Sequence, residues 1–368
     1  MKWLFKIIIF NGVVQSAISQ TTPEAAVNAA LQYHPSVKAA STEVQAKKYA
    51  ERSSLNLSNP EVNAESPTGE FYAVGVLQSF DFPTVYARRR QVAQAETGLA
   101  RAEQRISENE LRYTVRTLYL ETQLAEYMAR QWTSRDSLYQ EIVRSATRQF
   151  EAGEIDLLQK TSAEIEAGKV RQEHMAALQI LALKRLQLSR ITGIAEPGDL
   201  TPLGADTAPP TPAYESAPAL LWQQQALHVA EKQAELAKSN ALPNFSIGYL
   251  NQGPRETPLD YRFRASVGIP LWIGQYNAGR KAAETEVRAL QHRSETAAQT
   301  LALEAEQTGA EIRIALAQLG YFQNEALPRS RTLITTALRL REAGQIDYPP
   351  LFFATSTTPG RCKMIMQR

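Results

Sequence analysis

Long stretches of the chain place small and apolar residues at alternating spacings of three and four. Val92, Ala95, Leu99, Ala102, Ile106, Asn109 and Tyr113 form one such series. Ala163, Ala167, Val170, His174, Ala177, Leu181, Lys184, Leu188 and Ile191 form another. A mean period of 3.5 predicts helices paired as coiled coils, and alanine at many seam positions favours close approach of the helix axes. The pattern and its breakers predict a helix from Pro35 to Ser58, two short strands, a helix from Val85 to Ala152, a glycine turn, and a helix ending at Thr192. At 1.5 Å per residue the helix from Val85 to Ala152 is about 100 Å long. The strands alternate. Tyr261, Phe263, Ala265, Val267 and Ile269 share one face against Arg262, Arg264, Ser266 and Gly268, and Phe245, Ile247 and Tyr249 oppose Ser246 and Gly248. Ser66-Pro67-Thr68-Gly69-Glu70 and Gly253-Pro254-Arg255-Glu256-Thr257-Pro258 read as the loops between them.

The plan is written twice. His34-Pro35 opens the first copy as Ala217-Pro218 opens the second, and Asn59-Pro60 closes the first helix as Leu242-Pro243 closes its counterpart at the same interval. Phe82-Pro83 matches Ile269-Pro270, and Glu151-Ala152-Gly153-Glu154-Ile155-Asp156 matches Glu342-Ala343-Gly344-Gln345-Ile346-Asp347. One Pro turn is ordinary, but four anchors in the same order mark an internal duplication. The expected organisation is a leader at 1–20, a first repeat at 21–195, a Pro-, Gly- and Thr-rich linker at 196–217, an incomplete second repeat at 218–348 and an aberrant tail at 349–368.

The two ends refine this picture. Lys2 and Lys6 flank a short apolar run followed by Ser16, Ala17 and Ser19, the pattern of a secretory signal peptide. Beyond it no run is apolar and long enough for a transmembrane helix, so any membrane crossing must use strands. A hairpin taken alone fits a soluble core better than a membrane. Each hairpin here, however, sits between long helices with no further strands in its copy, and two strands are not stable alone in water. Lipid on one side and water on the other would satisfy both faces once other chains close a ring. At the far end, the helix after the second glycine turn should run as long as its first-copy counterpart. Instead Pro349-Pro350-Leu351-Phe352-Phe353 and a Thr, Ser and Pro stretch follow Tyr348, which predicts that the last returning helix is missing.

Composition excludes more than it assigns. Forty basic residues against 38 acidic ones give no field for nucleic acid or acidic substrates. Cys362 is the single cysteine, so no intramolecular disulfide forms. His34, His174, His228 and His292 are scattered without metal-ligand spacing, and no phosphate loop, nucleophile elbow or HExxH string is present. The residues therefore predict no catalytic set, no cofactor and no metal site. Arg88-Arg89-Arg90, with an echo in Arg280-Lys281, reads either as a solvated helix face or as an interfacial or pore-lining cluster.

The leader followed twice by helix, hairpin, long helix, Gly turn and helix resembles the TolC-like outer-membrane efflux proteins from about Thr22 to Tyr348. Gln78-Ser79-Phe80-Asp81-Phe82-Pro83-Thr84-Val85-Tyr86, Gly268-Ile269-Pro270-Leu271-Trp272 and Phe150-Glu151-Ala152-Gly153-Glu154-Ile155-Asp156 are similar to the subgroup that serves heavy-metal cation pumps. The resemblance implies a mainly α chain with a small β part, whose long antiparallel coiled-coil helices build an α-helical tunnel. Its four strands would enter a trimeric 12-stranded membrane β-barrel. It further implies a homotrimer in the bacterial outer membrane, extending into the periplasm. There it would meet a membrane-fusion adaptor and an inner-membrane pump of a tripartite (RND-type) system and export solutes passively. Gly153, Glu154, Ile155 and Asp156, with Gly344, Gln345, Ile346 and Asp347, would form the periplasmic tip turns where the adaptor docks. Asp156 and Asp347 read as helix N-caps or as a pore-lining ring. A drug- or protein-export channel of the same family and a periplasmic coiled-coil scaffold are the alternatives.

Overall fold

The computed structural model describes residues 21–55, 57–65, 73–195, 199–201, 214–251 and 262–346. The expected leader, both hairpin loops, most of the linker, Asp347 and the tail lie outside the described residues. The elements run α1 (Pro23–Tyr33), α2 (Pro35–Ser53), β1 (Glu61–Glu65), β2 (Ala73–Phe80), α3 (Pro83–Glu151), α4 (Leu157–Thr192), a 3-10 turn (Tyr214–Ser216), α5 (Pro218–Ser239), β3 (Asn244–Asn251), β4 (Phe263–Gly268), α6 (Ile273–Tyr321), a π-turn (Phe322–Ala326) and α7 (Leu327–Glu342). Two compact units cut across the duplication: Pro35–Glu110 with Pro209–Ile314, and Met1–His34 with Leu111–Ala208 and Ala315–Arg368.

The first unit holds the strands. They form one antiparallel sheet in the order β1-β2-β3-β4, so the hairpins of the two repeats join edge to edge through β2 and β3. That seam needs glycine: a Cβ at Gly248 would lie 2.5 Å from the Val76 carbonyl oxygen, and one at Gly75 would lie 2.8 Å from that of Tyr249. Beside the sheet, α3 is tied to α2 by Lys47 and Glu96 at 3.2 Å and to α5 by Trp222 Nε1 donating to Glu103 at 3.2 Å. Arg88 of α3 pairs with Glu235 of α5, and Arg89 with Asp81 at 2.8 Å, so two of the three clustered arginines engage carboxylates of this unit. The Glu235 carboxyl is held below the usual carboxylate range, chiefly by the hydrogen bond from Lys232. α2 stops at Ser53 rather than Ser58. The Ser53 and Ser54 hydroxyls turn back onto the carbonyls of Ala50 and Glu51, the local competition that makes serine a poor helix continuer.

The second unit pairs α3 with α4. The α4 seam is as the spacing predicts: Ala163, Val170, Ala177 and Leu188 are buried. On α3 the seam moves. Asn109 and Tyr113 are exposed, and burial passes instead through Leu111, Val115, Tyr119 and Thr122. A straight helix drifts about 20° per heptad against a strict 3.5 repeat, so three heptads carry a projected stripe off the true contact face. Arg185 reaches Glu126 at 2.6 Å and Lys184 reaches Glu121 at 2.6 Å across the pair. α1, which the heptad pattern does not announce, is capped by Thr22 accepting from the Ala25 amide, begins at Pro23, and buries Ala26, Val27 and Ala30. Ahead of it, Thr21 bridges in parallel to Leu200 of the linker, and the fully buried Tyr119 hydroxyl donates to the Thr21 carbonyl at 2.6 Å. Burial pushes that hydroxyl's pKa up.

The second-repeat counterpart of α3 is interrupted between α6 and α7. At Phe322–Ala326 it widens into a π-turn, with the Leu327 amide donating to the Phe322 carbonyl. Pro328 follows at once. It has no amide hydrogen for the usual bond, and a π-turn relieves the clash of its ring with the preceding turn.

Candidate functional site

Two regions can contact something beyond the chain. The sheet is the first. Its register aligns Val62, Val76, Tyr249 and Phe263 as one row across all four strands, and every one of these side chains is exposed. Ile247 and Val267 extend the same exposed face, while the other face carries Ser246 hydrogen-bonded to Ser266 at 2.5 Å, with Glu61 and Arg264 at its edges. Apolar side chains on an uncovered sheet face are costly in water, at about 25 cal/mol for each Å². The outer edges of β1 and β4 have no strand beside them among the described residues, which leaves backbone groups ready to pair.

The glycine turns are the second. After α3 the Gly153 amide donates to Phe150 and the Glu154 amide to Gln149; after α7 the Gly344 amide donates to Arg341 and the Gln345 amide to Leu340. These are two copies of one Schellman stop, with φ of 73° at Gly153 and 69° at Gly344, a region that disfavours any side chain. No atom lies near enough to crowd a Cβ at either glycine, so backbone conformation alone selects the residue. Asp156 is an N-cap: its carboxylate accepts from the Gln159 amide at 2.8 Å. Ile155 and Ile346 both pack on a buried cluster of Tyr139, Ile142, Ala146, Ala163, Val170 and Ala337, which brings the turns together. Arg341 Nη2 adds a hydrogen bond of 2.8 Å to Gln149. Glu154, Asp156, Gly344 and Gln345 are exposed, whereas Asp347 lies outside the described residues. Leu157 and Leu158, just past the cap, are also exposed. Helical patterning assigns such a pair to a core, so sequence reasoning passes over both.

His174 lies in the α3–α4 seam, 3.0 Å from the Thr133 hydroxyl and 3.6 Å from Asp136, while His228 and His292 sit beside Glu231 and Glu295 of their own helices. Among the described residues no three His, Cys, Asp or Glu side chains are grouped to hold a metal ion.

No family model and no curated protein matches this sequence. Solved structures do match. CusC, described in the context of folding and transmembrane channel formation, aligns over 94% of this chain and 88% of its own with a TM-score of 0.77 at 17% identity. The outer-membrane protein VceC of Vibrio cholerae aligns over 94% and 92%, with a TM-score of 0.75 at 13% identity. The chain has the fold of the TolC-like outer-membrane channels. The open state of the MtrE outer-membrane channel of Neisseria gonorrhoeae is a further example, aligned over 90% and 82% with a TM-score of 0.67 at 16% identity. Within this TolC-like fold both the sheet and the paired helices of the present chain find counterparts, since each alignment spans nearly the whole chain.

Proposed function

We propose that the chain is the outer-membrane channel subunit of a tripartite efflux system, a passive conduit and not an enzyme. The carrying observation is the exposed apolar row Val62, Val76, Tyr249 and Phe263 on a sheet whose two outer edges have no strand beside them among the described residues. In water such a sheet is an aggregation hazard. Closed by strands of identical chains in a bilayer, its apolar face meets lipid and its edges vanish. Three chains of four strands give a 12-stranded barrel, the homotrimer that the resemblance implies. The turns at Gly153–Asp156 and Gly344–Asp347 then serve as the periplasmic docking tips for the adaptor, through which the inner-membrane pump delivers cargo. The strings at Gln78–Tyr86 and Gly268–Trp272 favour heavy-metal cations as that cargo. All energy comes from the pump, and the solute passes unchanged.

Fractionation of Gram-negative cells expressing the chain tests the reading. It should be recovered with the outer membrane, released only by detergent, and conduct ions in planar bilayers. Recovery as a soluble periplasmic monomer identifies a coiled-coil scaffold instead. Expression in a host lacking its own export channel should restore tolerance to heavy-metal cations, and tolerance to drugs alone overturns the cargo assignment.

A further inference from the structure

The junctions between sheet and long helix occupy equivalent places in the two repeats, yet their surroundings differ. At the first, Val85 is buried, the Phe82 ring lies 6.1 Å from Phe245, and the Asp81 amide donates to the Tyr86 hydroxyl at 2.9 Å. Asp81 and Glu235 engage Arg89 and Arg88. At the second, Ile269, Leu271, Trp272 and Ile273 are 68%, 74%, 76% and 67% exposed, separated only by Pro270. No other stretch of five described residues presents four large apolar side chains in this way. The strip continues the apolar face of β4, whose Phe263 and Val267 are exposed just before it.

Charge separates the junctions in the same sense. From Arg262 to Lys281 the sequence carries Arg262, Arg264, Arg280 and Lys281 and no carboxylate. Arg280 lies two turns beyond Ile273 on the same side of α6. Its acidic neighbour is Glu284 of the same helix at 3.9 Å, with both side chains well exposed, a pair too weak to neutralise it. Exposed tryptophan and leucine beside a local excess of cations is the composition that settles at a lipid headgroup layer, where the apolar groups enter the acyl boundary and the cations meet phosphates.

We propose that the segment from Ile269 to Lys281 is an interfacial anchor for an anionic phospholipid leaflet. Leu271, Trp272 and Ile273 insert among the headgroups, and Arg280 and Lys281 hold phosphate oxygens. The first junction is poorly placed for this, because its apolar side chains and two of its three arginines, Arg88 and Arg89, are already engaged within the chain. The assignment rests on the channel reading, since the junction lies at the border of lipid only if the apolar face of β4 is inside it.

The test uses the full-length protein with vesicles of phosphatidylglycerol or of phosphatidylcholine. Wild type should bind phosphatidylglycerol more tightly, and brominated acyl chains should quench a fluorescence component that Trp272→Phe removes. The pair Arg280→Gln and Lys281→Gln should weaken binding to phosphatidylglycerol by about tenfold and flatten its salt dependence while leaving phosphatidylcholine unaffected. The pair Leu271→Ser and Trp272→Ser should weaken binding to both lipids at unchanged helix content. Unquenched Trp272, or variants that bind as wild type does, overturn the anchor while membrane association of the wild type leaves the channel reading standing. Variants that keep vesicle binding but lose self-association show that the strip is a surface between copies and likewise overturn it. Wild type that binds no vesicle overturns both.

Discussion

α3 and the continuous stretch of α6, π-turn and α7 are the same element of two repeats, and they differ in what they bury. α3 sequesters Leu111, Val115, Tyr119, Tyr139, Ile142 and Ala146, most of them facing a partner that returns along it. α6 buries none of its residues, and Leu303, Ile314, Leu316, Leu319 and Tyr321 remain exposed. Both carry helix-forming, Ala-rich sequences with apolar side chains at helical spacing. Burial therefore belongs to the pair and not to the strand of sequence: α3 has α4, whereas the second repeat supplies no such helix among the described residues. Where α7 does find a neighbour, at the cluster around Tyr139, Ala337 becomes buried and the two repeats look alike again.

The sharpest break of this comparison is a large-to-small change on each side. Tyr139→Ala should cost about 3–5 kcal/mol, against no more than about 0.5 kcal/mol for Ile314→Ala, in urea unfolding of detergent-held monomer followed by helical circular dichroism. Equal losses would mean that α6 is covered in solution. Next, Arg185→Ala strands the buried Glu126 carboxylate and should cost about 1.5–3 kcal/mol, reduced by the exposure of Arg185 itself. Arg313→Ala on α6, a residue with no ion pair to a second helix among the described contacts, should leave the same unfolding curve in place. Gly153→Ala and Gly344→Ala should each cost about 1–2 kcal/mol, because both impose a left-handed residue with a side chain. A cost at one turn only would separate the repeats even at the feature they share most closely.

The smallest effect concerns pH. The Tyr119 hydroxyl ionises at higher pH in the folded chain than in the unfolded one, because burial disfavours the charged form. Above about pH 10 the unfolded chain loses this proton first, so stability falls as pH rises from there and is unaffected below. Tyr119→Phe should remove that share of the alkaline loss, visible as a smaller drop in Tm between pH 9 and pH 11.

How far the sequence could be read follows from the range of each interaction. Gly153 and Gly344, the Asp156 cap, the α4 seam and the alternation of β3 and β4 are local, decided within a turn or a pleat, and the residues announce them. Their position at two matching places in the chain also made the duplication visible. The joining of β2 to β3 is not local. Its register rests on Gly75 and Gly248 approaching opposite backbones, contacts between residues far apart in sequence. The α3 seam was displaced because small angular errors accumulate along a straight helix, and α1 was hidden because a helix of 11 residues is too short to display a heptad repeat. The exposure of Leu157, Leu158 and Trp272 could not be read at all, since periodicity reports which side chains are apolar and not whether anything covers them.

The bridge of Thr21 to Leu200, fastened by Tyr119, bears on the order in which the chain can mature. A polypeptide that is threaded across a membrane from its amino end delivers Thr21 early, well before the middle of α3 and the linker have followed. Until then α1 has no seat and its alanine face stays open to escorting proteins. The segment at Thr21 thus waits until more than half of the 368-residue chain has crossed, a delay written into the topology by one tyrosine hydroxyl and two stretches of backbone.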